Sequence, residues 1–273
     1  MPDLLSVLEQ NLDSVRQRIR AACDRVGRSV ESVQLIAVTK YAPWEAVVGL
    51  ASLGQRRFGE NRPQQLLARA SQWKTESPLA TTANLSSSDP KSDTATTSPV
   101  PLEWHLIGQL QRNKVRSILP VVSRIHSVDS IRLLERIDEI AGELSLTPRV
   151  LLEVNVSGEE SKHGFEPQQL LDDWEEIARL KQVHITGLMT MAPLADDPEQ
   201  SRPWFRQLRE LRDELRNIHQ QFKPIDQTSL LGSNDLLSEL SMGMSGDFEV
   251  AIEEGATHIR VGSSLFARLP TSH

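Results

Sequence analysis

One lysine stands at the end of an apolar run that is typical of a buried strand. Lys40 follows Leu35-Ile36-Ala37-Val38-Thr39, and a period of two places Ile36, Val38 and Lys40 on one face. If that face points into a barrel, aliphatic walls surround the amine, and desolvation favours its neutral, nucleophilic form. Such an amine forms a Schiff base with an aldehyde or a ketone. The alternative is a lysine at a strand end whose charged head reaches solvent.

Two turns that contain glycine and serine, both near the C-terminus, have the chemistry of an anion site. Ser245-Gly246 precedes a predicted helix that begins near Asp247, so a hydroxyl and free backbone N–H groups can meet an anion there. Gly262-Ser263-Ser264 ends the last predicted strand, and Arg260 lies two residues earlier with a bidentate donor. Ser245 as an ordinary helix cap is the alternative. An amine nucleophile together with a phosphate site predicts a phosphorylated carbonyl compound as ligand.

Other reactive side chains show weaker patterns. We interpret Glu153 and Asn155 as structural residues rather than an acid–base pair. The histidines have no metal-ligand spacing, so we predict that His105, His126 and His163 are polar core or loop residues. These residues therefore add no second reaction to the prediction.

Short apolar runs that alternate with helical patterns must position these residues. Eight runs bounded by Gly, Pro, Ser or Asn are predicted to be strands. They are Gln34–Lys40, Arg57–Glu60, Glu103–Gly108, Arg124–Val128, Arg149–Asn155, His184–Met191, Ser241–Met244 and His258–Gly262. The predicted helices are Leu4–Val26, Trp44–Leu53, Arg62–Trp73, Gln109–Leu119, Ser130–Leu144, Pro167–Lys181, Pro198–Phe222 and Asp247–Glu254. The first of these precedes all the strands and has one apolar face.

Strands that alternate with helices indicate right-handed βαβ units and a parallel sheet. Eight such units close most economically as a barrel, so we predict an α/β protein: a modified (β/α)₈ TIM barrel preceded by an N-terminal helix, in a single domain spanning 1–273. A doubly wound open sheet is the alternative, although no Gly-x-Gly-x-x-Gly follows an early strand. In a barrel, Lys40 and both serine-containing turns fall at the C-terminal ends of strands, where reactive residues lie.

The segment 75–101 differs from the rest of the chain because it is rich in Ser, Thr and Pro and has almost no apolar periodicity. It cannot bury enough apolar surface to offset the entropy of ordering, so we predict a disordered surface insertion. A domain linker is the alternative. We reject it because the segment before it contains too few strands to complete a core.

Composition limits the class of protein. The chain of 273 residues has 30 Lys and Arg against 37 Asp and Glu, a formal net charge of −7, which argues against nonspecific nucleic-acid binding. The single cysteine, Cys23, excludes an intramolecular disulfide and fits a reducing cytoplasm. No stretch approaches the roughly 18 apolar residues of a membrane span, and the N-terminus lacks the apolar segment of a signal peptide. We therefore expect a cytoplasmic protein that binds neither nucleic acid nor a membrane.

Seven motifs carry a family resemblance. They are LIAVTKYAP around Lys40, FGENRPQ at 58–64, WHLIGQLQRNK at 104–114, HSVDS at 126–130, LLEVNVSGEESKHGF at 151–165, GLMTMAP at 187–193 and LSMGMSGDFEVAIEEGATHIRVGSSLF at 240–266. In this order they resemble the pyridoxal phosphate homeostasis protein family. The resemblance covers essentially the whole chain except the 75–101 segment.

The resemblance implies a barrel similar to the N-terminal domain of alanine racemase and a pyridoxal 5′-phosphate (PLP) cofactor bound to Lys40 as an internal aldimine. It implies that Asn61 lies beside the cofactor ring and that the phosphate is held by Ser245, Gly246, Arg260, Gly262 and Ser263. It also implies a monomer that buffers PLP or delivers it to PLP-requiring apo-enzymes, and that affects amino- and keto-acid balance.

The sequence favours a carrier over an enzyme. A racemase needs a second acid–base group opposite the lysine, but the only tyrosine, Tyr41, is adjacent to Lys40 and is predicted to point to the opposite strand face. The only cysteine, Cys23, lies on the N-terminal helix, and few residues follow the last predicted strand, where the related enzymes have a second β domain. We therefore predict no efficient turnover. The alternatives are a PLP-dependent racemase-like enzyme and a Schiff-base aldolase that uses Lys40 on a sugar phosphate.

A second amine is a candidate for a role in transfer. Lys162 in GEESKHGF lies on a glycine-containing loop after the fifth predicted strand. We hypothesise that it takes up the aldehyde transiently during transfer to an apo-enzyme, and an ordinary solvated lysine is the alternative. Equal transfer rates from Lys162→Ala and the parent protein would remove the hypothesis.

Overall fold

Eight parallel strands close into a barrel. The computed structural model describes residues 3–76, 101–159, 163–221 and 236–269. The strands are β1 (Gln34–Val38), β2 (Arg57–Glu60), β3 (Glu103–Leu106), β4 (Arg124–Val128), β5 (Arg149–Glu153), β6 (His184–Met189), β7 (Glu239–Ser241) and β8 (His258–Val261). Each strand pairs in parallel with the next, and β8 returns to pair with β1. The predicted TIM barrel is confirmed, and the open-sheet alternative is wrong.

Helices follow most strands along the chain. They are α1 (Leu4–Arg25), α2 (Trp44–Ser52), α3 (Pro63–Glu76), α4 (Val115–Ile118), α5 (Ile131–Leu144), α6 (Pro167–Asp172), α7 (Trp174–Ile177), α8 (Arg202–Gln221) and α9 (Phe248–Glu253). Short 3₁₀ helices span Val30–Ser32, Arg112–Lys114 and Pro198–Ser201. Within the described residues, no helix combines the length and the apolar character that a bilayer crossing requires.

Several element predictions differ from the structure, and four predicted strands end two residues early, at Val38, Leu106, Glu153 and Met189. The helix predicted over Gln109–Leu119 begins late, because Gln111 keeps an extended backbone and only a 3₁₀ turn and α4 follow it. The helix predicted over Pro167–Lys181 is two short helices, α6 and α7. The strand predicted over Ser241–Met244 is β7, which ends at Ser241. The predicted insertion lies outside the described residues, apart from its first two residues, which end α3, and its last one.

The N-terminal helix is amphipathic, as predicted. Leu8, Leu12 and Val15 on one face of α1 are buried. Asp3 caps the helix by accepting a hydrogen bond from the backbone N–H of Ser6 at 2.7 Å. The helix packs against α2 and α9. Its position beside α9 brings it close to the loop that follows β7.

The two faces of the barrel strands have different chemistry. Apolar side chains such as Phe58 and Trp104, with ring centroids 5.7 Å apart, belong to the core shared with the helices. Ile36 and Met189 are also fully buried but lie outside that shared core. The buried polar side chains on the strands are Glu60, His105, Arg124, His126, Ser127, Glu153, Thr186, Glu239, Ser241, His258 and Arg260. A polar interior of this kind has to satisfy its hydrogen bonds internally.

Candidate functional site

A cavity of about 890 Å³ lies at the C-terminal ends of the barrel strands. All seven site residues predicted from the sequence line it: Lys40, Asn61, Ser245, Gly246, Arg260, Gly262 and Ser263. They lie at or after the ends of β1, β2, β7 and β8. Because β8 pairs with β1, closure of the barrel brings residues from both ends of the chain to one site.

A buried ion pair holds the turn that carries Lys40. The Nε of Arg69 lies 2.7 Å from Oε1 of Glu60, and the hydroxyl of Thr39 donates to the same carboxylate. Arg69 also donates from Nη2 to the carbonyls of Thr39 at 3.1 Å and Ala42 at 2.7 Å. The carbonyls on both sides of Lys40 are therefore fixed, while its side chain is exposed at the cavity.

Lys40 and Tyr41 do not follow the strand alternation that the sequence predicted. The strand β1 ends at Val38, so Lys40 belongs to a turn and is exposed rather than enclosed by aliphatic walls. Its Nζ lies 5.1 Å from the centroid of the Tyr41 ring, and both residues line the cavity. The prediction that Tyr41 points away from Lys40 is therefore wrong, because the chain turns after the strand.

The loops after β7 and β8 are joined by one hydroxyl. The Oγ of Ser245 accepts hydrogen bonds from the backbone N–H groups of Gly262 at 3.2 Å and Ser264 at 3.5 Å. Asp247 occupies the N-cap position of α9, and its Oδ1 accepts from the N–H of Met244 at 2.6 Å. The alternative in which Ser245 acts as the helix cap is therefore not observed.

Three backbone N–H groups in these loops are free to bind an anion. Within the described residues, the N–H groups of Ser245, Gly246 and Ser263 have no acceptor. Gly246 and Ser263 are exposed, and a Cβ built on Gly246 would meet no atom within 4 Å. Successive unpaired N–H groups in such a concavity favour phosphate.

Arg260 places a buried cation against the cavity. Its side chain is 4% exposed, and it donates from Nη1 to Oγ of Ser241 at 2.7 Å and from Nη2 to the carbonyl of Thr190 at 2.9 Å. Burial lowers the pKa of Arg260 to about 10, against the opposing effect of Glu153 and Asp247, so the group stays protonated at neutral pH. None of the carboxylates among the described residues forms a salt bridge with it. A buried cation without an ion pair favours an anionic or hydrogen-bond-accepting occupant.

Two side chains of α1 bond the segments after β7 and β8, which carry the unpaired N–H groups and are called the anion loops. Asn11 donates from Nδ2 to the carbonyls of Leu265 at 3.0 Å and Ala267 at 2.9 Å, in the loop after β8. Arg18 forms an ion pair with Glu249 in the first turn of α9 at 2.6 Å. Sequence reasoning missed both contacts, because they join residues 254 and 231 positions apart.

Two glycines are required by close approaches near the site. A Cβ on Gly108 would lie 2.3 Å from the carbonyl oxygen of Asn61, so any side chain there would displace the loop that carries Asn61. Gly243 has a φ of +91°, and a Cβ there would lie 2.5 Å from that of Ala251. Both positions are therefore closed to larger residues.

Glu153 at the end of β5 has properties that the structural interpretation did not predict. Its side chain is 7% exposed, and its carboxylate accepts no hydrogen bond from the described residues. Burial first and the nearby Asp129 second raise the pKa of Glu153 to about 7, and Arg260 opposes them. This carboxyl group therefore exchanges a proton near neutral pH.

The sequence did not identify the apolar wall of the cavity. That wall includes Val38, Ile107, Met191, Leu194 and Phe266, of which Leu194 is 99% exposed. Several of these residues lie in loops, where no periodicity marks them. Their positions directly after strands were the available signal.

Some sequence predictions concern groups outside the cavity. Cys23 is buried within α1 and does not line the cavity. His105 and His126 are buried in the core, and His163 is exposed. The described residues contain no cluster of His, Cys, Asp and Glu suited to a metal ion. Lys162 lies outside the described residues, so its proposed role stays a hypothesis.

The structure is a closed barrel with a lysine after β1 and unpaired N–H groups in the loops after β7 and β8. This arrangement is typical of the class of barrel proteins that hold phosphate compounds at the C-terminal ends of their strands. The family described as alanine racemase, N-terminal domain, matches residues 10–270. A relative named pyridoxal phosphate homeostasis protein from Aquifex aeolicus strain VF5 is 38% identical over 257 residues, which cover 94% of this chain and 96% of the relative. The human protein of the same name is 34% identical over 266 residues, which cover 93% of this chain and 84% of the human protein. This chain belongs to the pyridoxal phosphate homeostasis protein family, as its motifs indicated.

Solved structures agree with this assignment. The structure of PipY from Synechococcus elongatus PCC7942 with PLP bound is 35% identical, has a TM-score of 0.70, and is matched over 95% of this chain and 100% of that one. Alanine racemase from Clostridium difficile 630 has a TM-score of 0.63 at 14% identity, with 98% of this chain and 58% of that chain covered. At that identity, the likeness to the racemase shows the fold alone.

Proposed function

We propose that this protein binds PLP in the cavity at the C-terminal end of the barrel and acts in intracellular PLP homeostasis. Lys40 would hold the aldehyde end of the cofactor, and Asn61 would lie beside its ring. Ser245, Gly246 and Ser263 would bind the phosphate through their backbone N–H groups, with Gly262 and Arg260 contributing from β8 and the turn after it. The bound cofactor supplies an aldehyde that condenses reversibly with a primary amine and releases water.

The residues of the cavity fit that cofactor at two separate points. An exposed primary amine on an anchored turn suits the aldehyde, and the unpaired N–H groups of Ser245, Gly246 and Ser263 suit the phosphate. A cavity of about 890 Å³ is within the range of small-molecule sites. The observation that carries the proposal is the presence of this amine and this anion site in one cavity.

The test is to identify the lysine that PLP modifies. The protein is incubated with PLP, reduced with borohydride and digested, and the modified peptide is identified by mass spectrometry. We expect selective modification at Lys40 in the parent and in Lys181→Ala, which removes an exposed lysine outside the cavity, and no selectively modified lysine in Lys40→Ala. A parent with modification spread evenly over its lysines, or a Lys40→Ala variant that keeps the visible absorbance of a lysine-bound aldimine, would refute the proposal.

The phosphate site has its own test. Pyridoxal, which has the aldehyde but no phosphate, is expected to bind at least about tenfold more weakly than PLP, since charge-assisted hydrogen bonds are worth about 1.5–3 kcal/mol each. Equal affinities for the two vitamers would contradict the assignment of Ser245, Gly246 and Ser263. A separate measurement distinguishes the aldolase alternative: Lys40 condensed with a sugar phosphate gives no visible absorbance, whereas lysine-bound pyridoxal absorbs visible light.

The protein is proposed to lack efficient turnover. The relatives carry homeostasis names, and the buried Cys23 lies away from the cavity. One observation favours slow acid–base chemistry as a second candidate, since the Tyr41 ring lies 5.1 Å from Nζ of Lys40. Exchange of the α-proton of alanine in D₂O, followed by NMR, distinguishes the two. Exchange at enzyme-like rates would replace the carrier proposal with a racemase-like enzyme.

The setting of this function follows from the proposal. We expect a cytoplasmic monomer that supplies PLP to PLP-requiring apo-enzymes. Sedimentation of the loaded protein tests the monomer, and recovery of activity by an apo-enzyme mixed with the loaded protein tests delivery. Recovery no faster than with an equal concentration of free PLP would leave a buffering role only.

A further inference from the structure

A chain of buried polar side chains runs through the barrel to the cavity. The Nδ1 of His105 on β3 lies 2.8 Å from Nε2 of His126 on β4, and Nδ1 of His126 lies 2.8 Å from Oγ of Ser241 on β7. Arg260 on β8 donates from Nη1 to that same Oγ at 2.7 Å. At the other end, a carboxylate oxygen of Glu103 lies 3.7 Å from Nε2 of His105. The hydrogen-bonded chain therefore runs from the cation at the cavity to His105, whose outer nitrogen faces a half-exposed carboxylate.

Both histidines in the chain are neutral. Burial lowers the pKa of His105 to about 4, against the opposing effect of Glu103. Burial, followed by the neighbouring His105 and His258 and by Arg260 and Arg124, lowers the pKa of His126 well below its ordinary value. A neutral imidazole has one N–H donor and one acceptor nitrogen. In each ring, therefore, one nitrogen donates a hydrogen bond to one neighbour and the other nitrogen accepts one from the other neighbour.

The two ends of the chain select one direction for these donors. At 3.7 Å the contact between Glu103 and His105 is longer than a hydrogen bond, and Nε2 of His105 has no hydrogen-bond partner among the described residues. The negative charge of the carboxylate nevertheless favours an N–H over a lone pair on the nitrogen that faces it, so we infer Nε2–H on His105, which leaves Nδ1 of His105 as an acceptor. His126 must then donate from its own Nε2–H, and its Nδ1 accepts the hydroxyl proton of Ser241. With the opposite tautomers, the lone pair on Nε2 of His105 would face the carboxylate. The hydroxyl proton of Ser241 would then lose Nδ1 of His126 as its acceptor. Every proton in the chain therefore points away from the cavity.

This direction determines how Arg260 is held. Because the proton of Ser241 is committed to His126, the oxygen lone pairs of Ser241 face the guanidinium and accept from it. The carbonyl of Thr190 provides a second anchor at 2.9 Å. Two of the five N–H groups of an arginine are used in this way, so three are left for an occupant of the cavity.

We propose that Ser241, His126 and His105 are positioning residues, which orient Arg260 toward the ligand through a hydrogen-bond chain of fixed direction. They act through Arg260, which lines the cavity, whereas none of the three lines it. The proposal rests on the proposed function only in naming PLP as the occupant of the cavity.

The first experiment measures the direction of the chain in the protein without ligand. The ¹⁵N chemical shifts of the two rings distinguish protonation at Nε2 from protonation at Nδ1, and variants of each histidine assign the signals. We expect Nε2–H for both His105 and His126 at neutral pH. Nδ1–H on either ring, or a charged ring, overturns the proposal whether or not PLP binds.

The second experiment is a double-mutant cycle on PLP affinity. We expect Ser241→Ala to weaken PLP binding about tenfold in the parent and by less than about twofold in an Arg260→Met background, because its effect passes through Arg260. Thr186→Val is the matched control, since Thr186 is a buried barrel hydroxyl that bonds Glu239 at 2.6 Å instead of the chain. It is expected to change PLP affinity by less than about twofold.

The cycle separates positioning from a general loss of structure. An equal loss of affinity from Ser241→Ala in both backgrounds, or the same loss from Thr186→Val, overturns the positioning role. A parent protein that binds no PLP refutes the proposed function instead, and the tautomers of the histidines still test the chain.

Discussion

Replacing Glu153 with glutamine should change how stability depends on pH. Raising the pKa of Glu153 from 4.5 to about 7 corresponds to about 3 kcal/mol. The folded protein holds this proton to a higher pH than the unfolded chain does. Glu153 therefore costs no stability at low pH, and its cost grows between about pH 4.5 and pH 7. Glutamine resembles the protonated carboxyl in shape and never ionises, so Glu153→Gln removes the cost.

The assay is urea unfolding of parent and variant at pH 5 and pH 8, followed by the fluorescence of the buried Trp104 and Trp174. Relative to the parent, we expect the variant to gain about 2–3 kcal/mol in free energy of unfolding from pH 5 to pH 8. Glu135→Gln, which alters an exposed glutamate on α5, is the control and should show no such gain. If the free energies of unfolding of the parent and Glu153→Gln differ by less than about 0.5 kcal/mol at both pH values, the reasoning is refuted.

Three further predictions concern the residues that hold the cavity in place. Asn11→Ala removes two hydrogen bonds to the loop after β8 and should weaken PLP binding about tenfold, measured by calorimetry, while Arg20→Ala on an exposed part of the same helix should leave it unchanged. Arg69→Met leaves the buried carboxylate of Glu60 unpaired and should lower the free energy of unfolding by about 3–5 kcal/mol. Adding Glu60→Gln in a double variant should restore part of this loss, and no recovery would contradict the buried pair. Gly108→Ala places a Cβ 2.3 Å from the Asn61 carbonyl oxygen. It should lower the free energy of unfolding by about 1–3 kcal/mol and also weaken PLP binding. A variant as stable as the parent would show that this loop moves freely.

The stability of the anion site depends on a helix that lies outside the barrel. α1 bonds the loop after β8 through Asn11 and the first turn of α9 through Arg18. The ion pair of Arg18 with Glu249 is partly exposed, so salt screens it and its contribution is modest. The hydrogen bonds of Asn11 are partly buried and depend less on salt. The N-terminal helix thus holds the anion loops in place as well as extending the core.

The strands, and the positions that line the cavity, were predictable because their signals are local. An apolar run bounded by breakers marks a strand within a few residues, and the end of each strand marks a position at the cavity. The same local reasoning failed at Lys40 and Tyr41, because β1 ends at Val38 and strand alternation does not continue through a turn. It also missed the raised pKa of Glu153, which depends on burial and on Asp129, a residue that follows a different strand.

The amino-acid sequence by itself determined the alternation of strands and helices, the closed barrel expected from eight such units, and the residue types that suit an amine-reactive phosphate compound. Only the tertiary structure decided how these residues are held. The direction of the chain from Arg260 through Ser241 and His126, and the contacts of α1 with the anion loops, join positions far apart in the chain. Burial and hydrogen-bond partners arise only when the barrel closes, so no pattern within a single segment could have indicated them.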